Sequence, residues 1–322
     1  MCLVALAIDQ SRRFPLVLAA NRDEFFARPT ARLAWWTPDA GGPAILSGRD
    51  LQAGGTWLGL TAEGRLGLVT NVRHAKPADP QSPSRGHIVA EWLASRESAD
   101  RFWMRTALSG YNGFNLIAAD FRRGDCFFAT NQRATPQRIE RGVYGLSNAG
   151  LDTPWPKVNA LKARLADALP RVESVDALSA LLFEALADRT EAAAHELPDT
   201  GVAPERERML SAAFIRASEL NYGTRSSTLI IAERVNRHLV THVLERSFSP
   251  TGVALLRRSS LKHWPPRYAD DAPSAAVSEQ QPVSEAELDV SGNLAVLPVK
   301  RTRVRSLLKP PGKRVRASAT AR

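Results

Sequence analysis

Hydrophobic residues in the first 264 positions recur with two different spacings. Short apolar runs bounded by polar turns predict β-strands. These runs cover residues 2–8, 15–20, 56–62, 65–72, 114–119, 126–130, 143–147, 226–233 and 238–248. Several neighbouring runs are joined by very short polar connections, such as Glu63-Gly64, which is typical of β-hairpins. The pattern therefore predicts antiparallel strand pairs.

A second set of segments repeats its apolar residues at helical spacing. These segments cover residues 87–95, 156–169, 175–186 and 204–214. Ser174 precedes one of them as a typical N-cap, and Pro204 suits a first helical turn. Because hairpins and helices alternate in blocks, we predict an α+β domain of antiparallel sheets with helices on their outer faces.

The composition changes after Trp264. Residues 265–322 are rich in Pro, Ser, Ala, Glu and Gln and then in basic residues, which predicts a low-complexity, disordered tail after a domain of residues 1–264. A strand is expected at most over 294–299. The net charge is +10, but nine of the 43 basic residues lie in 298–322, where there is no acidic residue. The remainder is nearly neutral, so nucleic-acid binding is expected only weakly and through the tail.

Several protein classes are disfavoured by the sequence. No apolar run approaches the length of a membrane span, and the N-terminus lacks the charged start and cleavage site of a secretory signal. Two cysteines, Cys2 and Cys126, exclude a disulfide framework and a cysteine-rich zinc site. His238 and His242 lie on a strand-like segment, where exposed histidines are expected rather than metal ligands. We therefore expect a cytoplasmic protein with no metal and no cofactor.

Cys2 is the first candidate for chemistry. Removal of Met1 would place a thiol and a free α-amine on one residue, and both ionise within reach of neutral pH. The amine can then accept the proton of the thiol, so that one residue supplies nucleophile and base. The structural alternative is a small apolar residue on a buried strand.

Polar residues at the ends of predicted strands supply further candidates. Asn21-Arg22-Asp23-Glu24 follows the run 15–20, and hairpin pairing brings it near Cys2. A guanidinium there favours a thiolate, and a carboxylate can hold an α-ammonium group. A surface salt-bridge cluster or turn is the alternative.

Two amides and one arginine complete this set. Asn71 and Asn148 lie at strand ends and can donate to an oxyanion, although ordinary turn residues would look the same. Arg225 opens an apolar strand, so a buried partner such as Asp23 or a substrate carboxylate is expected unless Arg225 lies at an exposed edge. The tryptophans at 35, 36, 57 and 155 are expected to fill the core, and the alternative is that they line a cleft.

A set of ordered motifs over residues 1 to about 250 resembles the NRDE family, also called the transport and Golgi organisation protein 2 family. These motifs are Met1-Cys2-Leu3-Val4, Asn21-Arg22-Asp23-Glu24 with Arg28-Pro29, Gly48-Arg49-Asp50, Gly54-Gly55-Thr56-Trp57-Leu58-Gly59, Thr70-Asn71-Val72-Arg73, Ser84-Arg85-Gly86, Tyr111-Asn112-Gly113-Phe114-Asn115, Gly145-Leu146-Ser147-Asn148 and Tyr222-Gly223-Thr224-Arg225-Ser226. The resemblance implies a four-layer αββα sandwich similar to N-terminal-nucleophile hydrolases, among which bile salt hydrolases and penicillin V acylases use cysteine.

The resemblance also implies a role for each matching residue. Cys2 is similar to the nucleophile, Arg22 and Arg225 to the two site arginines, and Asn71 and Asn148 to the site amides. Asp23 departs from the pattern of the acylases because it follows the arginine directly, so the partner of the α-amine is Asp23, Glu24 or neither. The expected activity is hydrolysis of a non-peptide C–N bond in an unknown small molecule. The alternative is a non-catalytic protein that binds or traffics haem or an acyl lipid on the same fold.

Overall fold

The computed structural model describes residues 2–38, 41–236, 238–268, 283–288 and 294–295. Its strands are β1 (Cys2–Ile8), β2 (Leu16–Phe25), β3 (Thr30–Trp36), β4 (Ile45–Asp50), β5 (Leu58–Thr61), β6 (Arg65–Asn71), β7 (Phe114–Asp120), β8 (Asp125–Thr130), β9 (Gln137–Arg138), β10 (Gly142–Leu146), β11 (Arg216–Ala217), β12 (Tyr222–Val235), β13 (His238–Phe248), β14 (Ala254–Lys262), β15 (Ser284–Leu288) and β16 (Leu294–Ala295). Its α-helices are α1 (Gly86–Ala94), α2 (Ala99–Ala107), α3 (Pro156–Ala168), α4 (Val175–Leu186) and α5 (Pro204–Met209). Within this part of the chain, no helix is both long enough and apolar enough to cross a bilayer.

The strands form two antiparallel sheets. The first sheet has the order β10-β1-β2-β12-β13-β14-β15-β16, and β11 also pairs with β12. The second sheet has the order β3-β4-β5-β6-β7-β8-β9. In the first sheet, β1 and β2 form the predicted hairpin, and β2 also pairs with β12. The long strand β12 therefore joins the N-terminal hairpin to the last strands of the domain.

Alternating side chains on each strand build a four-layer fold, since successive residues of a strand point to opposite faces. Val4 and Leu6 of β1 pack between the sheets, together with Leu60 of the second sheet. Leu3 and Ala5 point the other way and pack against α3 and α4. On the far side, α1 and α2 cover the second sheet through a separate core. The predicted α+β fold and its αββα layering are confirmed.

Among the predicted element boundaries that differ from the structure, two do so for a shared physical reason. β2 continues through Asn21 to Phe25, although its polar residues suggested an end at residue 20. The predicted helix from Pro204 ends at Met209, because the backbone beyond it is engaged elsewhere. Phe214 donates its N–H to the Asp188 carbonyl at 2.7 Å. Distant partners therefore decide both boundaries.

The segment around Trp264 is anchored in the second sheet. Trp264 is fully buried, packs edge-on against Phe121 and donates its indole N–H to the Thr61 carbonyl at 2.9 Å. Beyond it, β15 pairs with β14 and β16 pairs with β15. Most of the predicted tail, including 296–322 with its basic residues, lies outside the described residues.

Candidate active site

One row of side chains crosses four strands of the first sheet. The register pairs Cys2 with Arg22, Arg22 with Ser226, and Ser226 with Ser247. Cross-strand partners lie on the same face, and neighbouring strands are about 4.8 Å apart. All members of the row therefore face the layer between the sheets, and Ser226 lies roughly 10 Å from Cys2 across two such spacings.

Arg22 is held rigidly beside Cys2. The residue is only 5% exposed, and its guanidinium stacks on the Trp57 ring at 4.1 Å from the centroid. Its Nη1 donates to Thr30 Oγ1 at 3.2 Å, and Nη2 lies 3.9 Å from the Glu24 carboxylate. Arginine keeps its charge even when burial lowers its pKa, as it does here. A fixed positive charge is therefore the immediate neighbour of the thiol.

Burial nonetheless disfavours the thiolate form of Cys2. Desolvation raises its pKa, and the Asp23 charge adds to that effect. Arg22 acts in the expected direction and lowers the pKa, but burial outweighs it. Cys2 keeps part of its surface accessible, and its carbonyl accepts a hydrogen bond from Ser147 Oγ at 2.9 Å. The thiol therefore needs a base before it can act as a nucleophile.

The two candidate amides contact each other at the place where the two sheets meet. Asn71 ends β6 of the second sheet, and Asn148 follows β10 of the first. Asn148 Nδ2 donates to the Asn71 carbonyl at 2.8 Å and to Asn71 Oδ1 at 3.0 Å. This pairing fixes the Asn71 amide, whose Nδ2 has no acceptor within the described part of the chain. Ser147 joins the pair to Cys2, since its hydroxyl contacts both Cys2 and Asn148.

The Asn21–Glu24 segment divides its side chains between two layers instead of forming a turn. Asn21 Nδ2 donates to the Leu186 and Ala213 carbonyls at 2.8 Å, on the helix-facing side. Asp23 points the same way, and its Oδ1 accepts from Thr224 Oγ1 at 2.6 Å. Neither is part of a surface cluster.

Asp23 and Glu24 differ in ways that bear on the partner of the α-amine. Arg22 is opposite Cys2, so Asp23 lies one residue further along β2, next to where the chain enters Cys2. Asp23 is buried, and burial raises its pKa. Glu24 is only half-buried, and its Oε1 already accepts a hydrogen bond from the Phe25 N–H at 2.9 Å.

Arg225 does not pair with Asp23, which corrects one expectation for it. The residue lies at a β-bulge, where the β2–β12 register shifts between Thr224 and Ser226. Its Nη1 donates to the carbonyls of Phe25, Phe26 and Arg28 at 2.8, 3.3 and 3.1 Å. Its guanidinium thus holds the chain that follows β2.

A cavity of about 260 Å³ continues the row of polar residues, and we call it the inner cavity. Its lining includes Thr30, Trp57, Arg225, Ser226, Glu245 and Ser247. Ser226 is 5% exposed, and its hydroxyl has no hydrogen-bond partner among the described residues. Glu245 Oε1 accepts from the Leu33 N–H at 2.8 Å and from Ser247 Oγ at 2.9 Å, and burial raises its pKa. The cavity therefore offers polar groups along one wall.

Three residues of this region were not predicted as site residues. Trp57 lines the inner cavity and stacks on Arg22, which is the cleft position that the sequence offered as the alternative to the core. Arg85 precedes α1, and the charges of Arg85 and Cys2 influence each other, while burial lowers the arginine pKa. Lys157 is buried behind the sheet, donates to the Leu210 carbonyl at 2.7 Å, and has a pKa lowered to about 8 by burial. The quoted motifs contained Trp57 and Arg85, but only three-dimensional proximity marks them as site residues.

The histidine pair behaves differently from the expectation. His238 is exposed, but His242 is half-buried, with Nδ1 3.0 Å from Arg258 and Nε2 3.7 Å from Glu233. Burial lowers the pKa of His242. In the described ranges, no three His, Cys, Asp or Glu side chains lie close enough to hold a metal ion.

Comparisons with known proteins match the part of the chain that contains the candidate site residues. The family model described as Transport and Golgi organisation 2 matches residues 1–250. The human Transport and Golgi organization protein 2 homolog is 34% identical over 255 residues, covering 72% of this chain and 89% of that protein. The mouse homolog is 33% identical over 261 residues, covering 74% and 91%. The Drosophila melanogaster protein is 26% identical over 275 residues, covering 77% and 93%.

Among solved structures, two variants of a conjugated bile acid hydrolase from Clostridium perfringens are similar at low identity. One is 9% identical with a TM-score of 0.41, covering 93% of this chain and all of that chain. The other is 10% identical with a TM-score of 0.37, covering 74% and 90%. The family match spans Cys2, both candidate amides and the motif around Arg225. The chain belongs to the Transport and Golgi organisation 2 family.

Proposed function

We propose that this protein is a cysteine hydrolase of the N-terminal-nucleophile type, acting on a non-peptide C–N bond. The observation that carries the proposal is the environment of Cys2. The buried Arg22 guanidinium lies beside it in the sheet. Asn71 and Asn148 are hydrogen-bonded to each other, and the Ser147 hydroxyl contacts both Asn148 and the Cys2 carbonyl. These are the positive charge and the neutral donors that an acyl-transfer transition state needs.

The reaction begins when Met1, which lies outside the described residues, has been removed. The α-amine of Cys2 accepts the thiol proton, and the sulfur attacks the substrate carbonyl carbon to form a C–S bond. The Asn71 Nδ2 donates to the resulting oxyanion, while Asn148 acts as a positioning residue by fixing the Asn71 amide.

Breakdown of that intermediate completes the cycle. The C–N bond breaks, and the leaving nitrogen takes the proton from the α-ammonium group, which leaves a thioester on Cys2. Water then attacks the thioester, giving one proton to the α-amine, and the thiol leaves with that proton as the acid is released. Asp23 is the better placed carboxylate to stabilise the α-ammonium form, because it is buried next to the backbone of Cys2.

The inner cavity is the proposed binding site for the remainder of the substrate. It starts roughly two strand spacings from Cys2 on the same face of the sheet. Arg22, on its Trp57 platform, lies between the thiol and the cavity. Arg225 lines the cavity and can contact a substrate carboxylate there.

The test uses p-nitrophenyl acetate, an activated acyl donor that needs no knowledge of the natural substrate. The purified full chain is expected to lack Met1 by intact mass, to release p-nitrophenol in a burst, and to carry one acetyl group on Cys2 by peptide mapping. Cys2→Ala should abolish the burst, and Cys126→Ser should retain it. Retention of Met1, or acetylation that persists in Cys2→Ala, would contradict the proposal.

Ligand carriage without turnover is the second candidate. Burial of the Cys2 thiol favours it, because burial raises the pKa of the thiol and so disfavours the thiolate that a nucleophile needs. In that case the native chain would show no burst. The lining of the inner cavity contains no His, Met, Cys or Tyr, the side chains that ligate haem iron. The inner cavity therefore gives haem no specific support.

A further inference from the structure

The helix-facing side of the first sheet carries a second cavity, of about 180 Å³, which we call the outer cavity. Its lining includes Phe26, Arg189, Phe214, Arg216, Arg246 and Phe248. Arg246 alternates along β13 with Glu245 and Ser247, which face the inner cavity, so it points to the opposite face of the sheet. The outer cavity is therefore separated from the candidate active site by the sheet.

The charge at the outer cavity is unbalanced. Three arginines line it, and its lining contains no acidic residue. Among the described residues, Arg189, Arg216 and Arg246 form no ion pair. Burial lowers the pKa of Arg246 with no carboxylate to offset it, and its Nε has no hydrogen-bond partner in the described ranges. Arg246 is the partly buried cation of the three, whereas Arg189 and Arg216 are exposed, and an anion beside Arg246 would offset the cost of its burial.

Two of the three arginines lie over aromatic rings, of which Phe214 lines the outer cavity and Phe183 is buried beside it. Arg189 lies over the Phe214 ring at 5.1 Å, and Arg246 lies over the Phe183 ring at 4.2 Å. Phe214 and Phe248 meet edge to face at 5.0 Å between centroids. A cavity of about 150 Å³ lined by apolar groups is known to accept a benzene ring, so this volume suits one ring. The walls therefore select a flat apolar group, and the arginines select an anion.

We propose that the outer cavity binds a phosphorylated ligand whose phosphoryl group is attached to an aromatic ring. The guanidinium groups of Arg189, Arg216 and Arg246 donate to the phosphoryl oxygens, since their planar donors match that geometry. Three unpaired cations favour a doubly charged phosphoryl group over a single carboxylate. The ring packs against Phe214 and Phe248.

Phenyl phosphate is the probe, titrated into the full chain by calorimetry at constant ionic strength. One molecule should bind saturably per chain. Arg189→Gln with Arg216→Gln should weaken binding by about tenfold or more, because charge-assisted hydrogen bonds are lost. Both arginines are exposed, so this variant should fold normally. The control pair, Arg171→Gln with Arg206→Gln, removes the same charge from exposed positions elsewhere and should bind like the native chain.

Three further titrations test separately the need for the ring, the need for the phosphoryl group and the independence of this site from Cys2. Inorganic phosphate and benzoate should each bind more weakly than phenyl phosphate, and equal binding of either would overturn the ring or the phosphoryl requirement. Cys2→Ala should bind phenyl phosphate normally, so failure of the proposed hydrolase activity leaves this site intact. Absence of saturable phenyl phosphate binding, or equal affinity in Arg189→Gln with Arg216→Gln, would overturn the site.

Discussion

Cys2 and Cys126 lie on strands of opposite sheets, and both side chains face the layer between the sheets. Cys126 is 4% exposed within the apolar core of β8, and burial raises its pKa to about 12. Cys2 lies at the start of β1, keeps part of its surface, and has Arg22 as its neighbour. The apolar middle of the layer between the sheets therefore disfavours the thiolate form of Cys126. The end of the layer around Cys2 and Arg22, which we call its charged end, surrounds the Cys2 thiol with polar groups.

This difference shows that the reactivity of a cysteine depends on its position in the layer between the sheets and cannot be judged from residue type alone. The charged end collects side chains from both sheets, among them Asn71 from the second and Arg22 and Glu245 from the first. Each has hydrogen-bond partners that replace water. Because such groups are stable only when paired, the charged end is also the more constrained part of the layer.

The largest expected effect is on thiol alkylation. At pH 8 a thiol with a pKa of about 12 is thiolate in about one molecule in ten thousand, and Cys126 is also inaccessible. Iodoacetamide should therefore modify Cys2 on the order of a hundredfold or more faster than Cys126 in the folded chain. Peptide mapping over time gives both rates. In denaturant the two rates should converge, and equal rates in the folded chain would remove the distinction.

The second prediction reverses the order of the two cysteines. Cys126→Ser should lower the free energy of unfolding by about 1–3 kcal/mol, because it buries a hydroxyl in an apolar core. Cys2→Ser should change it by less than about 0.5 kcal/mol, since the position is partly exposed. Urea denaturation of both variants measures the difference. Similar losses would mean that Cys2 is as enclosed as Cys126.

The third prediction concerns the charge beside Cys2. Arg22→Leu removes a group that lowers the pKa of the thiol, so that pKa should rise further and the alkylation rate at pH 8 should fall by about tenfold. The midpoint of the rate against pH should move upward. Arg105→Leu is the control, since Arg105 also lies over a ring, at 5.2 Å from Phe102, but at an exposed position. An unchanged midpoint in Arg22→Leu would show that Arg22 does not act on the thiol.

The smallest effect is expected at Glu245, where burial raises the pKa above its ordinary value of 4.5. The folded chain then binds the proton of Glu245 more tightly than the unfolded chain does. The contribution of this proton to the free energy of unfolding is therefore fully present below pH 4.5 and is lost as the pH rises through the folded pKa. Glu245→Gln resembles the protonated form. The free energy of unfolding of this variant, relative to that of the native chain, should increase as the pH rises and then become constant. The total increase should be smaller than the change caused by Cys126→Ser. A pH-independent difference would contradict the direction of the shift.

Local patterns predicted most of the framework because the strands and helices bury one regular face. The hairpin that brings Arg22 to Cys2 follows from two apolar runs and a polar connection. Polar residues misled the prediction where their partners are remote. Asn21 and Asp23 remain inside β2 because Leu186, Ala213 and Thr224 satisfy them, and these partners lie more than 160 residues away.

The rest of the candidate site could not be read from spacing for the same reason. Trp57 comes from the connection between β4 and β5, and Lys157 from the first turn of α3. Nothing in their own neighbourhoods distinguishes them from core or surface residues. Their relation to Cys2 depends on how two sheets and a helix layer stack, which periodicity along the chain does not encode.

The turn that joins β13 to β14 has a consequence for both cavities. Phe248, Ser249 and Pro250 line the inner cavity on one side and the outer cavity on the other. The two cavities share this wall, so a ligand that displaced the turn on one side would change the volume left on the other. The two ligands would then alter each other's affinity by the same factor.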